Sequence, residues 1–367
     1  MSDSSIMWRD LFTRKMLICI FTGFTSGLPL FILISLLPAW LMDSGLELKA
    51  IALFSFIQLP YVLKFLWAPL FDGFSFSMGR RRGWLIIFQV LLLVSISMAG
   101  LLDPKSQIMT VAIISTAIAF FSASQDAVID AYRRELLLDN ELGLGTAIHV
   151  NAYRIAGLIP GSLALILADV FAWELVFFIT GLFMIPGIIL TILIKEPLLK
   201  VMPPKTVKEA VIEPFMEFIN RKGIKEAILI LLFIFLYKIG DSMATALATP
   251  FYMDLGFSMT EIGVIAKTVG FWASIIGGIL GGILMIKIGI NRALWIFGFM
   301  QMFATLSFAW LAISGYSPLI LGITVGLEFF AAGLGTTAFI AYIAKTTNPK
   351  FTATQFALFT GLSAVPR

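Results

Sequence analysis

The sequence predicts an all-α integral membrane protein built from two related six-helix halves, the second of them ending early. Three observations carry that prediction. Hydrophobic residues make up 59% of the chain and charged residues 13%, with a mean hydropathy of +0.97, far outside the usual range of a water-soluble domain. Mostly uncharged stretches of about 20 residues, the length that crosses a hydrocarbon core near 30 Å, recur along the whole chain. Short sequence patterns also return after roughly 210 residues, the mark of a duplicated unit.

Ten stretches are expected to be membrane helices. They run Met16–Leu41, Ala50–Leu70, Trp84–Leu102, Gln107–Tyr132, Gly143–Ala168, Trp173–Ile194, Ala227–Tyr252, Ile262–Ile286, Ala293–Ile313 and Pro318–Ile343. An eleventh opens near Thr354 and is partial at Arg367. The first apolar run is too long for a signal-peptide core, so it is expected to remain in the protein. Cys19 is the single cysteine and His149 the single histidine, which excludes an intramolecular disulfide and makes a His-rich metal centre untenable. No HExxH, GxSxG or paired GxGD motif is present, so an intramembrane enzyme is not expected, and neither is a cofactor.

Orientation follows from Lys and Arg in the loops. With the N-terminus on one side, that side collects 19 of them, including Arg14, Lys15, Arg80, Arg81, Arg82, Arg133, Arg134 and seven between Lys195 and Lys225. The other side has Lys49 and Lys105 alone. The N-terminus is therefore expected in the cytoplasm. The net charge of +4 is explained by this placement rather than by a nucleic-acid partner.

The repeat fixes the plan. "PAWLMDSGL" (Pro38–Leu46) after the first segment returns as "PFYMDLGF" (Pro250–Phe257) after the seventh, so that Met42, Asp43 and Gly45 match Met253, Asp254 and Gly256. Phe120 and Phe121 of the fourth segment match Phe329 and Phe330 of the tenth, and Ala131 and Tyr132 match Ala341 and Tyr342 with one residue inserted. Two parallel six-helix halves joined by a long loop make the plan of the major facilitator superfamily. The expected organisation is residues 1–194 as the N-terminal half, 195–226 as a basic linker and 227–367 as a shortened C-terminal half. Two equal halves would take about 420 residues, so the twelfth helix is expected to be absent. Val207, Val211, Phe215 and Phe218 in the linker are spaced for one face of an interfacial amphipathic helix, with a purely solvated linker as the alternative.

Polar groups at membrane depth mark function or pairing, since a charge there costs at least about 2.5 kcal/mol. The set is Lys64 in the second segment, Gln125, Asp126 and Asp130 in the fourth, His149, Asn151 and Arg154 in the fifth, Lys238 and Asp241 in the seventh, Lys267 in the eighth, Gln301 in the ninth and Glu328 in the tenth. Glu328 has no charged neighbour within a turn of its own helix and is the first candidate for carrying a proton, with Asp126 and Asp241 beside it. Lys238 and Asp241 are three apart and can pair. Asp126 and Asp130 form a column with Ser122 and Arg134 along one face, and Asp126 has Lys64 and Arg154 as possible partners. Gln125, Asn151 and Gln301 suit sugar hydroxyls and acetamides, and Lys64, Arg154, Lys238 and Lys267 suit carboxylates. Tyr153, Tyr237 and Trp272 offer aromatic faces. His149, near the start of its segment, is expected to be partly solvated, and "GRRR" (Gly79–Arg82) is expected to be cytoplasmic charge. Gly23 and Gly27, Gly157 and Gly161, and Gly277, Gly278, Gly281 and Gly282 have the spacing of close helix contacts.

These residues resemble a known family. Asp72 followed by "GRRRGW" resembles a degenerate form of the superfamily's signature between helices 2 and 3. "TGFTSGLPL" (Thr22–Leu30), "LPYVLKFLWAPLFD" (Leu59–Asp72), "SASQDAVIDAYRREL" (Ser122–Leu136), "YKIGDSMATALATPF" (Tyr237–Phe251) and "AYIAKTTNPKFTATQFAL" (Ala341–Leu358) together resemble the AmpG-type muropeptide permeases of Gram-negative bacteria. The resemblance implies a monomeric importer in the bacterial cytoplasmic (inner) membrane, driven by the proton gradient. Its substrate would be N-acetylglucosaminyl-1,6-anhydro-N-acetylmuramyl peptides, taken from periplasm to cytoplasm for cell-wall recycling. It extends to Gly23, Gly27, Ala123, Gln125 and Asp126 as matching motif positions, with Asp72 in a gating loop. Acetyl-coenzyme A transporters share some of the motifs, and the missing last helix leaves a non-transporting relic as the other alternative.

Overall fold

The structure, a computed structural model, describes residues 13–197 and 207–365. Its long helices are α1 (Arg14–Asp43), α2 (Leu48–Leu66), α3 (Arg80–Ala99), α4 (Ile108–Leu136), α5 (Leu142–Ala168), α6 (Trp173–Leu193), α7 (Ile224–Asp254), α8 (Thr260–Ile288), α9 (Ile290–Ser314), α10 (Pro318–Thr346) and the shorter α11 (Thr352–Ala364). Among the described residues, nine of these are long and apolar enough to cross a membrane. α7 occupies the seventh expected segment, and its 31 residues make it about 46 Å long at 1.5 Å per residue.

Prolines shape the helices locally. α1 loosens into a π turn at Ile32–Leu36, just after Pro29, and α5 does so at Ile159–Leu163, around Pro160. A proline lacks the N–H that the ladder requires, and the wider turn absorbs the missing bond. In α2 the helix breaks into a tight turn at Lys64–Leu66 and restarts as Ala68–Gly73 with Pro69 in its first turn, where a missing N–H costs nothing.

Packing repeats with the sequence. α1 lies along α5 as α7 lies along α11, and α3 lies along α4 as α9 lies along α10. Glycine allows the closest of these approaches. A methyl group at Gly23 would sit 2.2 Å from the His149 carbonyl oxygen, and one at Gly27 would sit 2.3 Å from that of Tyr153, so α1 and α5 touch backbone to backbone.

The halves meet along two seams, α5 against α8 and α11 against α2 and α4. Both begin at the end that carries Arg80–Arg82, Arg133, Arg134 and Lys350, here called the basic end. Gly143 faces Met285 there, Gly282 faces Ala147, and Gly278 faces the Asn151 amide. Hydrogen bonds between Asp72, Arg81 and Glu135 and the start of α11 join the halves at this basic end, and one from Arg154 to Ser274 joins them at mid-helix.

The linker differs from the single interfacial helix expected. It forms two short helices, Val207–Val211 and Glu213–Lys222, and they dock on protein. Ala210 packs against Gly73 at the end of α2, and the Phe218 ring lies 5.1 Å from that of Phe359 in α11. Val211, expected on the apolar face, is exposed, and the Val207 side chain lies outside the described residues. Pro214, in the first turn of the second helix, marks where one helix ends and the next begins.

Candidate functional site

The polar residues of the N-terminal half converge around Asp126. Its Oδ1 accepts a 2.5 Å hydrogen bond from the Ser26 hydroxyl of α1, and the charges acting on it are those of Lys64, Asp130 and Arg133. Asp126 and Asp130 keep part of their surface accessible, whereas Lys64 is 5% exposed. Gln125, one position along and fully buried, donates from Nε2 to the Thr25 carbonyl at 3.0 Å, while its Oε1 has no partner among the described residues. Tyr61 donates to Ser122 at 2.8 Å, and the Trp67 indole donates to Ser124 at 2.9 Å. The small residues of α4, with Ala123 and Ala127 buried between them, are what let α1 and α2 come this near.

Asp130, in the column with Arg134, pairs with Arg133 at 2.8 Å and three residues on. Arg134 reaches Asp139 instead, at 3.1 Å. Arg133, expected as a membrane-exit residue, is buried, and its guanidinium lies 5.7 Å from the centre of the Phe356 ring on α11. His149, expected to be partly solvated, is only 6% exposed. Its position facing α1, across from Gly23, explains the burial, and its Nδ1 lies 3.4 Å from the Thr22 hydroxyl.

Arg154 does not pair with Asp126. It crosses to the other half, where Nη1 donates to the Ser274 carbonyl of α8 at 2.8 Å. Asn151, one turn back, donates to Ala147 at 2.9 Å, and its Oδ1 is buried without a partner. Both residues thus belong to the α5–α8 seam.

In the C-terminal half, Lys238 donates to Thr336 at 3.1 Å and lies 5.8 Å from the centre of the Phe339 ring. Tyr237 stacks on that same ring at 4.8 Å, and Gln301 comes so near Gly335 that a methyl group there would lie 2.6 Å from its Oε1. Glu328 is buried, with Oε2 lying 3.5 Å from the Thr305 hydroxyl of α9. Trp272 is 61% exposed and turned away from this group. The side chains of Asp241 and Lys267 lie outside the described residues.

A second polar centre closes the basic end, and most of it escaped the sequence reading. Asp72 has no exposed surface. Its Oδ1 accepts from Arg81 at 2.7 Å and from the Ala353 N–H at 3.2 Å, and its Oδ2 accepts from the Thr354 N–H at 2.9 Å and its hydroxyl at 2.7 Å. A carboxylate of one half therefore caps α11 of the other, satisfying N–H groups that have no intrahelical partner. Arg81 is fully buried as well. It bonds Glu135 at 2.6 Å, the Phe71 carbonyl at 2.7 Å and Thr352 at 2.6 Å, and Thr352 in turn donates to Glu135. The "GRRR" run thus opens α3 with buried, paired charge at Arg80 and Arg81. Arg80 joins Glu135 at 2.7 Å, while Arg82 caps the end of α6 through the Thr191 and Ile192 carbonyls. Glu135 and the two threonines carried no signal in the sequence, where they read as ordinary residues of a loop boundary.

Outside the membrane segments, the linker fastens this centre from below. Gln355 donates to Pro214 and Glu217 at 2.9 and 2.7 Å, and Lys350 bonds Glu213 at 3.1 Å. Burial pushes the Glu217 carboxyl up, but hydrogen bonds from Arg221 and Gln355 outweigh it and hold the group below the ordinary value.

Comparison with known proteins places this arrangement in context. Residues 19–367 match the sequence profile of the Major Facilitator Superfamily. The chain is 51% identical over 373 residues to an uncharacterized protein of Haemophilus influenzae, covering 99% of this chain and 88% of that one. It is 42% identical over 353 residues to the anhydromuropeptide permease of Escherichia coli K12, covering 95% of this chain and 71% of the permease. Among solved structures, the human organic anion transporter MFSD10 superposes with a TM-score of 0.73 at 15% identity, over 96% of this chain and 90% of that one, a likeness of fold.

Proposed function

We propose that this chain, which belongs to the Major Facilitator Superfamily, imports anhydromuropeptides across the bacterial cytoplasmic membrane with protons as the driving ion. The observation that carries the substrate class is the 42% identity, over 95% of the chain, to a protein named an anhydromuropeptide permease. The polar inventory supports it. Gln125, Asn151 and Gln301 supply donors and acceptors for sugar hydroxyls and acetamides, and Lys64, Arg154, Lys238 and Lys267 supply positive charge for peptide carboxylates.

Proton coupling is assigned to Asp126, Glu328 and Asp241. Asp126 is the best supported, because it keeps solvent access while Lys64 and Arg133 bring charge to it from two helices. The 19 basic residues on the N-terminal side support a cytoplasmic N-terminus. The basic end, held shut by Asp72 and Arg81, is then the cytoplasmic gate, and the access path opens toward the periplasm. Alternation consists of parting the two seams described above while the opposite ends close. A monomer is the working unit of this proposal.

The test is uptake of labelled N-acetylglucosaminyl-1,6-anhydro-N-acetylmuramyl tripeptide by cells lacking their own muropeptide permease. Expression of this chain restores uptake, a protonophore collapses it, and Asp126→Asn and Glu328→Gln each lower it by at least about tenfold, as expected for loss of a coupled proton site. Uptake that survives the protonophore and both substitutions sinks the coupling assignment. No uptake from a correctly inserted chain sinks the substrate assignment.

A further inference from the structure

The cations of the described site are committed, with one exception. Arg81, Arg133 and Arg154 bond the other half or an acid of their own helix, and Lys238 donates to Thr336. Lys64 is only 5% exposed, yet its ammonium makes no hydrogen bond or ion pair among the described residues. The ammonium keeps an accessible edge, unlike the buried unpartnered amide oxygens of Gln125 and Asn151, and its three donors are open to whatever enters beside it.

The two acids near it do not fill that role. Asp126 and Asp130 act on Lys64 through space, but Asp126 Oδ1 takes the Ser26 hydroxyl and Asp130 Oδ1 takes Arg133. Both acids near Lys64 keep part of their surface accessible. Lys64 also sits where α2 is irregular, in the tight turn that ends at Leu66, and two residues from Val62, whose carbonyl oxygen a methyl group at Gly361 of α11 would approach to 2.5 Å. The turn that carries Lys64 therefore packs against α11, while the Lys64 charge acts on Asp126 and Asp130.

We propose that Lys64 reads a free carboxylate on the transported solute. A ligand carboxylate is the complement that the pocket lacks: it supplies charge and two acceptor oxygens to donors that have none. The proposal rests on the muropeptide reading above and narrows it, because it assigns to one residue the recognition of an acid group rather than of the sugars. Charge balance deepens the point. Lys64 and Arg133 offset Asp126 and Asp130, so an entering carboxylate leaves one negative charge in excess, and a proton on one of the acids restores neutrality. Ligand anion and proton thereby favour each other's binding, and that reciprocity is the thermodynamic content of coupling.

The experiment uses the whole chain in lipid nanodiscs and two probes, the labelled anhydromuramyl tripeptide and the same compound with its carboxylates amidated. Wild type binds the acid at least about tenfold more tightly than the amide, the scale of a charged hydrogen bond. Lys64→Gln brings the acid to within about twofold of the amide, and Lys64→Arg keeps the preference. Retained binding of the amide by Lys64→Gln reports that the variant is folded; should it be lost, Lys64→Met serves as the second removal of charge. An acid preference that persists after the charge is removed, or a wild type that binds acid and amide alike, overturns the role of Lys64 and leaves the muropeptide reading intact. A wild type that binds neither probe overturns that reading, and this inference with it.

Discussion

Replacing Asp72 by Asn tests whether the polar centre at the basic end is a gate or merely a support. The carboxylate takes four bonds through two oxygens, one facing Arg81 and the Ala353 N–H, the other facing Thr354. An amide keeps a single acceptor oxygen: turned toward Arg81 and the Ala353 N–H it loses the Thr354 N–H bond, the Thr354 hydroxyl turning to accept from the NH₂, and the bonds it keeps lose the carboxylate's charge. Bonds to a charged group are worth about 1.5–3 kcal/mol each, and a helix cap about 1 kcal/mol. With partial relaxation the loss is about 3 kcal/mol, or on the order of a hundredfold in an equilibrium constant.

That loss bears on one conformation alone if α11 leaves α2 when the basic end opens. The open population then rises by up to the same factor. Ala357, fully buried on α11 within the seam, reports it. In a chain freed of its one thiol by Cys19→Ser, an Ala357→Cys site in inside-out vesicles is expected to react with a membrane-impermeant maleimide at least about tenfold faster once Asp72→Asn is added. A lower melting temperature with unchanged labelling would refute the gating argument, since it would mean that Asp72 stabilises both conformations equally.

Two further outcomes follow from the geometry. Gly23→Ala places a methyl group 2.2 Å from the His149 carbonyl oxygen, and since backbone cannot swing aside, the detergent-purified protein is expected to lose about 1–3 kcal/mol of stability; a melting temperature equal to wild type contradicts the close approach of α1 and α5. Glu217 supplies a pH dependence: its folded value lies below the ordinary 4.5, so its contribution is present in full above 4.5 and is lost as pH falls through the folded value. Cleavage of the linker by an acid-tolerant protease is expected to be flat near neutrality and to rise below 4.5, and Glu217→Gln is expected to remove that dependence.

The membrane helices were legible because a bilayer imposes length and polarity on every spanning segment, and the repeat was legible because both halves answer the same demand. Direction within the bundle was not. A helix that is apolar all round buries one face on protein and another on lipid with little contrast between them, so "YRREL" gave no sign that Glu135 and Arg133 turn inward while Arg134 reaches Asp139. Glycine was the better guide, since Gly23, Gly27 and Gly278 fall at contacts where a methyl group would collide.

Asp72 illustrates why the polar centre at the basic end stayed hidden. Its partners Ala353 and Thr354 lie 281 and 282 residues away, and no local period links positions so distant. The choice of charge for this seal has its own logic. A seal of apolar side chains at the basic end would expose those groups to water each time it opened, whereas Asp72, Arg81 and Glu135 recover hydration when they part. The desolvation that makes a buried ion pair a poor source of net stability also keeps its two states near in free energy. A transporter that must visit both needs that nearness, so a fully buried Arg–Glu–Asp cluster is better suited to a gate than to a core.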